Sequence, residues 1–212
     1  MQVTAYLVVV LAGYLLGSIP TGYLVARAKG IDIRTVGSGN IGATNAFRVL
    51  GKTAGTAVLI ADGLKGYAAC AWVCDGLLRL FNVPTAALET HRIVAGIAAV
   101  LGHNYTCWLH FKGGKGIATT AGVYFALAPL SVSIAIGAWI IFVVTTRFVS
   151  IGSIAAAVAL PTAVWLTKDS VFLGVVTTAL CLLAIFKHKS NIQRLLAGTE
   201  SRIGSKREET PK

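Results

Sequence analysis

The stretch GIATTAGVYFALAPLSVSIAIGAWIIFVVTT, residues 116–146, runs for 31 residues without one charged side chain. As a single helix it would extend roughly 46 Å at 1.5 Å per residue, well past the ~30 Å hydrocarbon layer of a bilayer. Pro129 stands near its middle, where a proline removes a donor and obstructs the helix. The stretch therefore reads as two short membrane spans, about 116–130 and 132–147, joined by an external turn. Lys112 and Lys115 precede it and Arg147 follows it. Two spans return those charges to one face of the membrane; one span would separate them.

The remaining chain follows the same pattern. Residues 1–26 are uncharged, and Arg27, Lys29 and Arg34 follow at once. Positive charge on the C-terminal side alone sets the N-terminus outside. No Lys or Arg precedes Arg27, so the segment lacks the basic start of a signal peptide and reads as a retained first span. Residues 30–52 form a polar, glycine-rich inner loop, and 53–78 a second span holding Asp62, Lys65 and Asp75. Residues 79–92 connect outside, with Pro84, and 93–110 return inward. Span six covers 148–167, Lys168-Asp169 turn outside, and 170–186 come back. The expected architecture is all-α with seven transmembrane helices, N-terminus outside and C-terminus cytoplasmic. Residues 1–201 make a single domain, with 202–212 a polar cytoplasmic tail.

Composition supports that class. Of 212 residues, 55% are hydrophobic and only 13% charged, and mean hydropathy is +0.73. Soluble domains carry about 25% charged residues, so a soluble fold, disorder and collagen are excluded. A membrane β-barrel needs alternating segments of ~10 residues, whereas these runs are continuous. The net charge is +11. Fifteen Lys/Arg fall in the proposed inner segments against three outside, a positive-inside bias rather than a nucleic-acid surface. Four cysteines (70, 74, 107, 181) lie in apolar segments without CxxC spacing. They read as small buried hydrophobes, not a zinc or disulfide framework.

All the unusual polar sequence falls on the inner face. GSGNIGATNAFRVLG (37–51) matches the letters of a dinucleotide fingerprint at Gly37, Gly39 and Gly42, but a membrane helix precedes it, so that reading fails on context. The physics survives. Glycines let backbone N–H groups converge on an anion, and a helix start adds a positive dipole end. Ser38, Thr44 and Asn45 supply side-chain donors, and Arg48 a guanidinium. FKGGKG (111–116) reads as a second nest, with Lys112 and Lys115. In KHKSNIQRLLAGTE (187–200), His188 and Asn191 share one helical face, and Ser153 lies one turn into the sixth span. His103 and Asn104 read as a polar pair near the middle of the third span, and Asp62 with Lys65 as a mutually neutralised brace. Inner-face carboxylates are too dispersed for a two-metal site, so no metal or cofactor is expected. Two cationic, glycine-rich loops point to two phosphorylated molecules, or one very anionic one.

With these residues assembled, the chain resembles the bacterial acyl-phosphate:glycerol-3-phosphate acyltransferases, the PlsY family. LLGSIPTGYLVAR (15–27), GSGNIGATNAFR, DGLKG (62–66), GHNY with FKGGKGIAT, and KHKSNIQRLLAGTE all match that family's pattern, to about Glu200. The resemblance implies transfer of a fatty acyl group from acyl phosphate to the 1-hydroxyl of glycerol 3-phosphate, without a covalent enzyme intermediate. The site would face the cytoplasm at a bacterial inner membrane, on a monomer. By the same resemblance, Ser38, Asn40 and Thr44 hold the acyl phosphate with Ser153, His188 and Asn191, while Arg48 and Lys115 bind glycerol 3-phosphate. The hydroxyl proton passes to His188 or to the departing phosphate. The rival reading is a transporter for phosphate or an organophosphate, which would need polar residues across the whole membrane.

Overall fold

The computed structural model describes residues 2–168 and 170–204, and no strand occurs among them. Asp169 of the predicted external turn lies outside the described residues, as do Lys206, Arg207, Glu208, Glu209 and Lys212 of the tail.

The first span breaks where its sequence says it must. Pro20 divides α1 (Gln2–Ser18) from α2 (Thr21–Arg27). The inner loop at 30–52 is not all loop, because it contains the amphipathic helix α3 (Ala43–Leu50). Next come α4 (Lys52–Ala68), a π-helical turn at Ala69–Val73, and α5 (Cys74–Leu80), which continue one another over 29 residues. A π-bulge inside a helix commonly marks a functional stretch. Third is α6 (Leu88–Asn104), which starts five residues earlier and ends six residues earlier than the predicted 93–110. His103 and Asn104 therefore sit at the end of that helix, not near the middle of a span. The uncharged stretch forms α7 (Ile117–Leu127) and α8 (Pro129–Thr146). Ala128 is forced out of helical geometry by the proline after it, and Pro129 then takes the first position of α8. Last are α9 (Val149–Thr167), α10 (Val171–Lys187) and the short α11 (Lys189–Leu196).

Among the described residues, four helical stretches are long and apolar enough to cross a membrane: Val3–Arg27, Lys52–Leu80, Pro129–Thr146 and Val149–Thr167. A fifth is the pair α10–α11, bent by 51°. By that measure α6 and α7 fall short. The 11 residues of α7 span about 16 Å, roughly half the hydrocarbon thickness.

The helices approach closely through small residues, as expected where lipid removes the usual hydrophobic drive and packing must hold spans together. α1 lies on α6, α4 on α7, and α8 on α9. A Cβ at Gly17 would enter the backbone of Ala99, and one at Gly122 would strike the Gly63 carbonyl. Tyr124, Val123, Val132, Leu160, Val164 and Leu173 form the main buried core. A second cluster, with Ile33, Ile41, Ala46 and Val58, pins the loop before α3 against α4. Cys70, Cys74 and Cys181 are buried as expected, but Cys107 is exposed in the turn after α6. Ile203 N–H donates to the Arg147 carbonyl at 2.8 Å, so the start of the tail lies on the α8–α9 turn.

Candidate active site

A cavity of about 810 Å³ opens between the helices. Its polar end gathers Ser38, Asn40, Thr44, Arg48, Lys115, Ser153, His188 and Asn191, which are supplied by three remote segments and the start of α9. A smaller cleft beside it is lined by Ser38, Gly39, Asn40, Lys115, Ser190 and Arg194. Of the glycines predicted for the site, Gly42 borders the cavity and Gly39 the cleft, whereas Gly37 borders neither.

Local hydrogen bonding explains the shape of the first loop. Asn45 is buried, its Nδ2 donates to the carbonyls of Ile33 (3.2 Å) and Val36 (3.1 Å), and its Oδ1 accepts from Ser38 N–H at 2.9 Å. Thus Asn45 staples the loop to α3, and its polar atoms are committed there. Gly37 turns at φ +62°, where a Cβ would also run into the Asn45 amide, so only glycine fits. Asn40 Oδ1 accepts from Gly42 N–H at 2.9 Å, and Gly39 N–H donates to Val36 at 3.1 Å. The expected nest of glycine amides is therefore already bonded to itself. Groups that remain open to a ligand include the Ser38 hydroxyl, the Asn40 Nδ2, the Arg48 guanidinium, and the first N–H groups of α3 at Ala43 and Thr44, which have no partner within the helix. Arg48 makes no hydrogen bond or ion pair within the described residues.

The second glycine loop also differs from expectation. Gly113 N–H donates to the Asn104 carbonyl at 3.2 Å, and Gly114 N–H to the His103 carbonyl at 3.0 Å. FKGGKG is a strap across the open end of α6, not an anion nest, and Lys112 is exposed away from the cavity. Gly114 is small because a Cβ there would overlap His103 Nε2. The strap delivers Lys115, whose ammonium donates to Asn191 Oδ1. Burial, with Arg194 and Arg48 nearby, pushes the Lys115 pKa down to about 8.

His188 lies just past α10, at the bend into α11. Its Nδ1 contacts the Ala184 carbonyl at 2.8 Å, and a carbonyl can only accept, so Nδ1 carries the proton and Nε2 keeps its lone pair. Burial and the neighbouring Lys115 push its pKa down to about 4. Ser153 is buried and donates to the Val149 carbonyl at 2.9 Å.

Three residues that sequence analysis did not place in the site are found there. Glu200 accepts from Asn191 Nδ2 and from Arg194 Nε, both at 2.7 Å, and thereby turns the Asn191 oxygen toward Lys115. Asp62 and His103 border the cavity. Asp62 receives Lys65 Nζ at 2.9 Å and the Thr21 hydroxyl, with His103 Nδ1 3.6 Å away, and Lys65 also donates to the Ile19 carbonyl at 2.8 Å. The Asp62–Lys65 spacing signalled the brace; no spacing could reveal the His103 contact, made by another helix.

Comparison with known proteins decides the family. The model of the glycerol-3-phosphate acyltransferase family matches residues 7–198. The chain belongs to that family. Its glycerol-3-phosphate acyltransferase relatives include those of Geobacter metallireducens, 50% identical over 92% of this chain and 97% of that protein, and Geotalea daltonii, 44% identical over 93% and 97%. The fold agrees with a crystal structure of PlsY (YgiH), an integral membrane glycerol 3-phosphate acyltransferase, in its glycerol 3-phosphate form, with TM-score 0.84 and 37% identity over 94% of this chain and 96% of that one. Its lysophosphatidic acid form gives 0.81 and 36% over 94% and 95%. In this acyltransferase-family chain, the polar end and the apolar length of one cavity are continuous.

Proposed function

We propose that this membrane protein moves a fatty acyl group from acyl phosphate to the 1-hydroxyl of glycerol 3-phosphate. The products are 1-acylglycerol 3-phosphate and phosphate, the first acylation of phospholipid synthesis. The observation that carries the reading is a single cavity joining a cationic, hydroxyl-rich end to an apolar channel. Both substrates bear phosphate and one bears an acyl chain, and the family relationship supplies glycerol 3-phosphate as acceptor.

In this reading α1–α2, α4–α5, α6, α7, α8, α9 and α10 are the seven spans, with the N-terminus outside and the site toward the cytoplasm of a bacterial inner membrane. The asymmetry of Lys and Arg supports that orientation. Residues 1–201 act as one domain with 202–212 as its tail, and the protein works as a monomer.

Ser38, Asn40 and the N-terminus of α3 with Thr44 receive the phosphate of the donor, with Ser153, His188 and Asn191 along its other side. Arg48 and Lys115 hold the phosphate of the acceptor. Acyl phosphate is a mixed anhydride, so the 1-hydroxyl oxygen attacks the carbonyl carbon directly. The carbon–oxygen bond to phosphate breaks, and the electron pair leaves with the phosphate. The enzyme's contribution is alignment, worth ~7–11 kcal/mol in well-oriented systems, and fixed donors where negative charge grows. With its pKa near 4, neutral His188 holds a proton poorly. The departing phosphate, which ionises near neutrality, is the better acceptor, and His188 Nε2 serves to accept a hydrogen bond.

Protein purified in detergent should release phosphate from palmitoyl phosphate only when glycerol 3-phosphate is present. A transporter has nothing to do without a vesicle, so zero turnover by folded protein would remove the enzyme reading. Ser38→Ala should lower kcat/KM at least roughly tenfold, about 1.4 kcal/mol; an unchanged value would take its hydroxyl out of the site.

Lys115 also sets a pH limit. Its ammonium is charged below about pH 8 and neutral above. KM for glycerol 3-phosphate should therefore rise as pH passes 8, with a shift to higher pH once bound anion stabilises the charge. Lys115→Arg, always charged, should abolish that limb. The same alkaline rise in the arginine variant would assign it elsewhere.

A further inference from the structure

The apolar part of the cavity has two unlike sides. On one, Leu64, Trp72 and Phe125 border the cavity yet are 51%, 60% and 46% exposed, so it opens sideways on the face that the spans turn to lipid. On the other, Ala157 and Ala184 wall a branch that runs inward to Val132, Leu160 and Cys181, all buried. From Ser153 to Leu160 on α9, and from His188, the residue that caps α10, back to Cys181, is seven residues each, about 10 Å along a helix. The two rows therefore stop at the same depth.

Beyond that depth the packing is closed. One turn past Cys181, Thr177 accepts the Tyr124 hydroxyl at 2.6 Å, and both residues are fully buried. One turn past Leu160, Val164 is fully buried in the same core. A blind branch with a hydrogen-bonded floor is a poor passage but a good stop.

We propose that this branch is a ruler for the donor's acyl chain, whose methyl end comes to rest on Val132, Leu160 and Cys181. The proposal rests on the acyl-phosphate reading above. The chain arrives from lipid, which is as apolar as the branch, so transfer out of water cannot discriminate between lengths. Fit decides instead. A chain that fills the branch gains close contacts along its whole length. A longer one must fold back toward the open flank of Trp72 and Phe125, which displaces its head from the polar end. Val132 and Leu160 are the specificity-determining residues in this account.

The test compares lauroyl, palmitoyl and stearoyl phosphate as donors for wild type, Val132→Phe and Leu160→Ala, all in detergent. Val132→Phe shortens the branch and should raise the lauroyl-to-stearoyl ratio of kcat/KM at least about tenfold, the scale on which apolar pockets discriminate. Leu160→Ala deepens it and should lower the ratio by a similar factor. KM for glycerol 3-phosphate should stay at its wild-type value in both, which also shows that they fold. Superimposable chain-length profiles, or shifts in the same direction, would overturn the ruler. Failure of folded wild type to use any of the three acyl phosphates would overturn the donor assignment instead.

Discussion

Lys115→Ala is expected to lower kcat/KM for glycerol 3-phosphate by about a hundredfold, mostly through KM. Lys115 is the cation that both the cavity and the adjoining cleft share. Its only hydrogen-bond partner among the described residues is the neutral Asn191 amide, so its charge is available to an anion. Truncating one member of a buried, hydrogen-bonded charge pair costs about 2–5 kcal/mol, which brackets a hundredfold loss. Asn191 and Arg194 keep their bonds to Glu200, so the fold around them should persist. Steady-state kinetics with glycerol 3-phosphate varied at saturating donor will check it, and near-wild-type KM would refute the assignment.

Asp62→Leu should be the most destabilising single substitution in the chain, at about 3–5 kcal/mol. Asp62 and Lys65 are 3% and 5% exposed at the side chain and form a 2.9 Å pair. Removing the carboxylate leaves the ammonium buried with only the Ile19 carbonyl. For a protein of this size, that corresponds to a fall in Tm of about 10 °C. Asp62→Leu combined with Lys65→Met removes both charges and should melt higher than either single variant, because replacing a buried pair costs less than breaking it. Melting in detergent decides. A double variant no more stable than the singles would mean that mutual neutralisation is not what holds this site together. Its activity should still fall, since Asp62 sits beside His103, and His103 packs on Gly114 of the strap that carries Lys115.

Much of this was legible from residue order. Long uncharged runs marked the chain as an all-helical membrane protein, because crossing a bilayer is a one-dimensional constraint on length and charge. Pro129 announced the break between α7 and α8, because proline acts on its own neighbours. Asp62 and Lys65 declared themselves as a pair at helical spacing. The three polar segments stood out by composition alone, and Arg48, Lys115, His188 and Asn191 line one cavity.

What composition could not convey is which donors are already taken. The glycine loops looked like anion nests, yet Ser38, Gly39, Gly113 and Gly114 spend their N–H groups on Asn45, Val36, Asn104 and His103. Asn45 looked like a ligand donor and is a staple. Residue order determined the class of this protein, places where its helices break and the polar segments that line its cavity, because those follow from local hydropathy, local sterics and charge. Tertiary structure alone decided that Glu200 orients Asn191, that His103 meets Asp62, and that Val132, Leu160 and Cys181 border the same cavity as Lys115. Each of those depends on atoms from different helices meeting at ångström distances, and such meetings leave no period or spacing in the chain.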